Sequence, residues 1–334
     1  MDGLRGVAAI GVMLFHFSII GVPIARHGYL AVDFFFILSG FVMAHAYSHR
    51  LETMPISRFL KLRIIRIYPL VVIGLSLGTS YFLLRYFSNN QSLYGVCDII
   101  FGSMFNIFLL PKPWMSSAPT DTIFTTNTPL WSLSLEMALN ILWARFFYKS
   151  PSRRLLIFAA VSGASMGLFS FQNGSADLGA TWPTYPGGAA RAVFGFFAGV
   201  LLWRYRPEPN KKGLHPEISA LLLFAVLFVP DIGAAFDIFV IVFVFPSIIY
   251  IAACADFREE RFIFKLSGNL SYPLYVIHVP MLHFFVGFSK TFKLGDHSTL
   301  VAALAAILCM ATAVLLDYFY DRPVRRFLAR AWIS

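Results

Sequence analysis

Charge is what this sequence has least of. Asp, Glu, Lys and Arg make up only 13% of its 334 residues, against roughly 25% in a soluble globular domain. Hydrophobic residues account for 58% and mean hydropathy is +0.70, which leaves too little polar surface to coat a soluble body of this size. The same numbers exclude a disordered chain. Cysteine is scarce as well. Cys97, Cys254 and Cys309 stand at unrelated spacings in apolar stretches, which excludes a secreted disulfide scaffold and offers no metal-ligand pattern. They read as small buried hydrophobes, and no metal is expected. Acidic side chains number 17 against 27 Lys and Arg, giving a net charge of +10 and a pI near 9.6. A basic nucleic-acid-binding domain would not be this apolar, so no nucleic-acid partner is expected. There is no Gly-rich run ending in Lys-Ser/Thr, so nucleotide hydrolysis has no support. No loop is long enough to fold alone, and residues 1–334 read as one domain with no appended soluble domain. No signal peptide is visible either, because the first apolar segment lacks a small-residue cleavage site and runs straight into a second.

What is present is a series of apolar runs. A helix crossing the hydrocarbon core needs about 20 mostly apolar residues. The candidates are 6–24, 29–48, 66–87, 94–110, 127–148, 154–171, 187–203, 215–230, 235–254, 268–288 and 299–320. Basic clusters punctuate them: Arg58, Lys61, Arg63 and Arg66; Arg145, Lys149, Arg153 and Arg154; Arg204, Arg206, Lys211 and Lys212; Arg258, Arg261 and Lys265; and Arg322, Arg325, Arg326 and Arg330. The positive-inside rule puts all five in the cytoplasm. Between Arg66 and Arg145 there are three candidates, and an odd number cannot begin and end on one side. The weakest is 94–110, which contains Asp98 and Asn106 and leads into Pro111 and Pro113. It is therefore read as re-entrant or interfacial. The expected fold is all-α and polytopic, with about ten transmembrane helices, in the cell membrane with both termini cytoplasmic. Irregular backbone at membrane depth survives only against protein or a water-filled cavity, so a cavity is expected beside that segment.

Ionisable groups inside a span cost about 2.5–3.5 kcal/mol on insertion scales and tend to face partners or a pathway. Arg5 and His16 lie about three turns apart on one helix face, with His16 about 16 Å deeper, near the midplane. His16 is either a core histidine bonded to a neighbouring backbone or hydroxyl group, or a functional group; in a membrane span the two readings stand level. Asp33 sits just inside the outer end of the second span, where it acts as a cap or snorkels outward unless it has a partner. Ser132, Glu136 and Asn140 repeat every four residues and form one polar stripe, with Trp131 beside them at the outer interface. Ser271, Tyr275 and His278 make a second stripe, as suited to a hydrogen-bonded helix contact as to a site. Two imidazoles and two carboxylates at similar depth in four helices are expensive unless they meet. On the cytoplasmic face, Arg63 and Arg66 share a helix face at i, i+3, near anionic lipid or gripping a phosphate. Arg191, behind Gly187-Gly188, orients a carboxylate or an anionic acceptor, or snorkels.

These residues fall into recognisable motifs. Asp2-Gly3-Leu4-Arg5-Gly6 with His16, Val32 to Phe41 around Asp33 and Ser39-Gly40, Arg63-Ile64-Ile65-Arg66-Ile67-Tyr68-Pro69, Trp131-Ser132-Leu133-Ser134-Leu135-Glu136, and Leu270 to His278 follow in that order. Together they resemble the acyltransferase family three proteins, integral-membrane O-acyltransferases. Asp321-Arg322-Pro323 stands where that family usually shows Glu-x-Pro, a conservative departure. The resemblance implies transfer of an acyl group, commonly acetyl, from cytoplasmic acyl-CoA to a hydroxyl of a sugar or lipid-linked glycan. It implies His16 as general base, with Glu136 or Asp33 holding its other ring nitrogen and His278 in support. Arg5, Arg63 and Arg66 would hold the donor, and Trp131, Tyr275 and Arg191 would contact substrate. The lack of an appended extracytoplasmic domain suggests action without a fused second transferase. The rival class is a proton-coupled secondary transporter using the same His and carboxylate groups, although no paired inverted repeat is visible.

Overall fold

The structure, a computed structural model, describes residues 1–88, 94–113, 120–206, 216–254, 262–291 and 298–333. Lys211, Lys212, Arg258 and Arg261 lie outside the described residues. The regular structure of the described chain is all helical apart from one isolated bridge, Thr122 to Thr181. Its helices are α1 (Asp2–Phe15), α2 (Ala31–Tyr47), α3 (Ile56–Phe87), α4 (Val96–Asn106), α5 (Leu130–Leu142), α6 (Ser152–Asn173), α7 (Tyr185–Arg204), α8 (Pro216–Leu227), α9 (Ala234–Phe239), α10 (Phe245–Cys254), α11 (Phe262–Thr291), α12 (Ser298–Leu316) and α13 (Arg322–Ile333). A 3₁₀ tail, His16–Ile20, extends α1. Single π turns at Trp143–Phe147, Val240–Val244 and Asp317–Asp321 continue α5, join α9 to α10 and join α12 to α13.

Eight of the ten expected spans are helices long and apolar enough to cross a bilayer. The remaining two are α5 with its π turn and the shorter apolar helix α8. The chain is an all-α integral membrane protein. Its outer helices show this directly: α6 and α12 leave Leu156, Ile157, Val161, Leu304 and Ile307 exposed, side chains that only lipid can cover. The segment expected to be re-entrant is the 11-residue helix α4, about 16 Å long and too short to span. Three residues past its end Leu109, with a φ of 55°, turns the chain sharply, and Asn106 Nδ2 bridges the carbonyls of Leu110 and Ile123 across that turn.

Where helices meet closely, small residues allow it. In α7, Gly195 and Gly199 stand four residues apart, a spacing that lets membrane helices approach backbone to backbone. A Cβ on Gly199 would overlap the carbonyl oxygen of Ile37, and one on Gly40 that of Phe196, so α2 and α7 touch through their main chains. A second packing layer joins α1, α11 and α12 through Ala9, Met13, Leu274, Ile277, Ala305 and Cys309. Proline inside α11 leaves carbonyls without their helical donor. For Pro280 the orphan is Val276, and Asn127 Nδ2 supplies the missing hydrogen bond at 2.9 Å.

The short α4 generates a topological prediction. In a Cys97→Ser background, the exposed positions Ser88 and Asp121 flanking α4 should, as single cysteines, both label with an impermeant thiol reagent from the same side. Labelling of the two from opposite sides would show that 94–110 crosses.

Candidate active site

One cavity of about 280 Å³ runs into the bundle. Its wall follows α2 from Val32 to Tyr47, 15 helical steps and so about 22 Å. At the end nearest Tyr47 it is lined by Arg5 of α1 and by Arg63 and Arg66 of α3; further in come Ser39 and Glu136; Val32, Phe35, Ser132 and Tyr275 line its deep end. The stripe spacing of α5 brings Ser132 and Glu136 to the same wall, and Ser39 Oγ donates to Glu136 Oε1 at 2.9 Å. Tyr272 anchors α11 to α3 by donating to the Ile67 carbonyl oxygen at 2.5 Å.

The three arginines differ in how they are held. Arg5 donates to Asp2 at 2.9 Å within its own helix. Arg63 is buried at 8% exposure, with Nη1 against the Met43 sulfur, its guanidinium over the Tyr47 ring and its Nε without a partner. Among the described residues no carboxylate pairs with Arg63 or Arg66 at ion-pair distance. A guanidinium in low dielectric without a counter-charge is costly. Such a group, on a cavity wall and beside two more of the same sign, suits a bound anion.

Past the deep end stand the two histidines. His16 opens the 3₁₀ tail of α1, and His278 lies mid-way along α11, which packs on α1. Their rings are 4.9 Å apart and His278 Nε2 is 3.2 Å from His16 Nδ1. The surroundings fix both tautomers. His278 Nδ1 lies 3.0 Å from the Leu274 carbonyl and His16 Nδ1 lies 2.9 Å from the Val12 carbonyl. A carbonyl only accepts, so each Nδ1 carries its hydrogen. The neutral His278 Nε2 therefore accepts from His16 Nδ1–H, and His16 Nε2 keeps a free lone pair. Tyr275 separates cavity from dyad: its ring is 5.7 Å from Phe35 and 6.0 Å from His278.

Sequence expectations and structure part company at Asp33, Arg191 and Trp131. Asp33 does not hold His16. Its carboxylate is fully buried and receives Arg191 Nε at 2.9 Å and Nη2 at 2.5 Å, a bidentate pair across α2 and α7. Arg191 also donates to the carbonyls of Leu178 and Tyr29, and at 1% exposure it is closed to a substrate. Of the roles expected for it, orienting a carboxylate is the one its geometry performs. Trp131 is buried under Gly179 and Gly188, with the Arg191 guanidinium 5.8 Å from its ring centroid, and does not line the cavity. Glu136 reaches the cavity but bonds Ser39 rather than an imidazole. Arg5, Arg63, Arg66, Glu136 and Tyr275 do converge on the cavity, and His16 and His278 meet behind it. A third imidazole belongs to none of the motifs: His283 stacks on Tyr81 at 5.2 Å, with a buried Nδ1 that has no hydrogen-bond partner. Its only sequence signal was its position five residues beyond His278.

A family model described as an acyltransferase domain matches residues 1–318. The chain belongs to this acyltransferase family. The acyltransferase MdmB of Streptomyces mycarofaciens is 26% identical across 99% of this chain and 92% of its own. A putative membrane-bound transacylase, BcsY of Komagataeibacter xylinus, is 24% identical over 84% and 72% respectively. The O-acetyltransferase OatA of Staphylococcus aureus is 22% identical over 98% of this chain and 57% of its own. No solved structure matches. Family membership makes the protein a membrane O-acyltransferase, taking an acyl donor and a hydroxyl acceptor, and sets aside the transporter reading.

The Asp33–Arg191 pair yields a stability prediction. Asp33→Asn leaves a buried guanidinium without its counter-charge, which typically costs about 3–5 kcal/mol. Thermal unfolding in detergent should drop sharply, and Asp33→Leu with Arg191→Met should recover part of the loss. Wild-type melting of Asp33→Asn together with abolished transfer would instead make Asp33 a catalytic group.

Proposed function

We propose that this protein moves an acyl group, acetyl by preference, from acyl-CoA to a hydroxyl of a glycan or lipid-linked sugar, with His16 as general base. The observation that carries the reading is the buried, carboxylate-free Arg63 on the cavity wall beside Arg66 and Arg5. Guanidinium forks match phosphate geometry, and a spaced pair suits a pyrophosphate. The narrow cavity beyond them has the length and mixed polarity for a pantetheine arm, with Ser39 and Glu136 as partners for its amides. The thioester then comes to the Tyr275 end. The printed names of OatA and BcsY, an O-acetyltransferase and a transacylase, support acetyl and related acyl groups as cargo. The basic clusters support a cytoplasmic donor side, cytoplasmic termini and a single membrane domain in the cell membrane.

In this mechanism the acceptor hydroxyl hydrogen-bonds His16 Nε2. As its oxygen attacks the thioester carbon, Nε2 takes the proton. The imidazolium that forms donates from Nδ1 to His278 Nε2 and the Val12 carbonyl, contacts already in place before the reaction. Collapse expels the CoA thiolate, which recovers the proton. His278 never leaves its Nδ1–H tautomer; it positions His16 and spreads its charge.

Two sets of variants test this. Arg63→Ala and Arg66→Ala should each weaken acyl-CoA binding by about ten- to a hundredfold, from a charged hydrogen bond worth about 1.5–3 kcal/mol. Arg→Lys should restore little, because the fork is lost. Unchanged affinity of purified protein for acetyl-CoA would remove the donor assignment. His16→Ala should abolish single-turnover transfer in proteoliposomes while donor binding persists. Losing a general base costs about 10²–10⁴ in rate. His278→Ala should retain measurable turnover; near-normal transfer by His16→Ala would reverse the two roles.

A further inference from the structure

At the deep end of the cavity three oxygens form a closed triangle. Ser132 Oγ is 2.5 Å from the Tyr275 hydroxyl and 3.2 Å from the Pro129 carbonyl oxygen, and the Tyr275 hydroxyl is 3.1 Å from that same carbonyl. Only two hydrogens are available, because a carbonyl donates none. A phenol is the stronger acid and an alkanol oxygen the stronger acceptor, so the short contact is Tyr275 donating to Ser132. The Ser132 hydrogen then points to Pro129 along the longest of the three contacts. Both side chains line the cavity and both are buried, so their dipoles act in low dielectric. Pro129 is the N-cap of α5, a position whose carbonyl accepts the first intrahelical hydrogen bond in any case.

We infer that Ser132, polarised by Tyr275, is the hydrogen-bond donor to the thioester carbonyl oxygen. This rests on the acyl-CoA reading above and assigns the group that stabilises its charge. As the acceptor oxygen bonds the carbonyl carbon, the carbonyl π pair moves onto oxygen and the acceptor proton goes to His16 Nε2. Ser132 turns its hydrogen from Pro129 to that oxyanion, while Tyr275 keeps donating to Ser132. The C–S bond then breaks, the carbonyl re-forms, and Ser132 turns back. Ser132 is thus a catalytic residue and Tyr275 its positioning residue, with its ring between donor cavity and dyad.

Removing one oxyanion donor costs about 10²–10³ in kcat. Ser132→Ala should lose that much in single-turnover transfer from acetyl-CoA, with acetyl-CoA affinity within threefold of wild type. Ser132→Thr, which keeps the hydroxyl, should retain at least a tenth of the rate. Tyr275→Phe should lose about tenfold in kcat with KM for the donor unchanged. Where Ser132→Ala does not fold, Tyr275→Phe and Ser132→Thr decide. Wild-type kcat in Ser132→Ala or in Tyr275→Phe overturns the assignment, as does a loss matched by an equal loss of donor affinity. No acetyl-CoA binding or transfer by the wild-type protein would overturn the donor reading and this assignment with it, whereas normal wild-type transfer beside an undiminished Ser132→Ala overturns only the hydroxyl relay.

Discussion

The contact between α2 and α7 is the constraint on which the site depends. Gly40, Gly195 and Gly199 let the two backbones touch, and the Asp33–Arg191 pair locks their relative register with a bidentate bond that tolerates no slide. One side of α2 is thereby committed to α7. The opposite side, from Val32 to Tyr47, is left as the longest wall of the cavity. A helix free to rotate by one residue, 100°, would turn Ser39 away from Glu136 and close the cavity with a phenylalanine. The buried pair contributes little net attraction after desolvation. Its value is in the register it enforces.

The same logic explains the broken and bulged helices. Proline at 273 and 280 interrupts the ladder of α11 inside a membrane, where water cannot repair an orphan carbonyl. Asn127 repairs one from the segment leading into α5, which ties that segment to α11 at the depth of the histidines. Gly74 of α3 is pressed against the same carbonyl, so three parts of the chain converge on one helix irregularity. His278 lies two residues before Pro280, on the part of α11 that these contacts immobilise. Its ring can therefore present Nε2 to His16 without drifting, and preorganisation of this kind is what a proton acceptor buried among apolar side chains requires.

Much of this was legible because membranes penalise ambiguity. Eight apolar runs became helices, six of them within four residues of their expected limits, while α3 begins ten residues early at Ile56 and α12 runs on through a π turn into α13; the parity of the basic clusters singled out 94–110, which is the short α4. Helical spacing alone put Ser132 with Glu136 and Tyr275 with His278. Pairing across helices was not legible. Asp33 and Glu136 are both carboxylates beside polar motifs, and nothing in either neighbourhood says that Arg191, 158 residues on, claims the first. The Gly195-x-x-x-Gly199 spacing is the one local signal that α7 lies against another helix, which gives Arg191 a buried setting. Trp131 looked like an interfacial tryptophan because its covering residues, Gly179 and Gly188, carry no side chain to announce a contact. The capping loop around the Thr122–Thr181 bridge is held by main-chain bonds and left no periodic trace.

The cavity joins two economies of charge that the bundle keeps apart. On the α7 side the buried charges have partners: Arg191 pairs with Asp33, and Asp237 accepts from the Tyr29 hydroxyl and the Ala176 amide, with the His27 ring 3.4 Å away. On the cavity side Arg63 and Arg66 have no counter-charge among the described residues. The bare guanidinium does not come from a lack of carboxylates nearby, since Glu136 lines the same wall and bonds Ser39 instead. The bare state raises the free energy of the empty protein, and an incoming anion relieves it. Binding energy held in reserve at one end of the cavity can then pull an uncharged arm into an apolar interior that would not attract it unaided. The dyad, in contrast, has no carboxylate partner: beyond Tyr275 each ring meets only the other and a backbone carbonyl, the setting in which the proposed mechanism places its proton transfer.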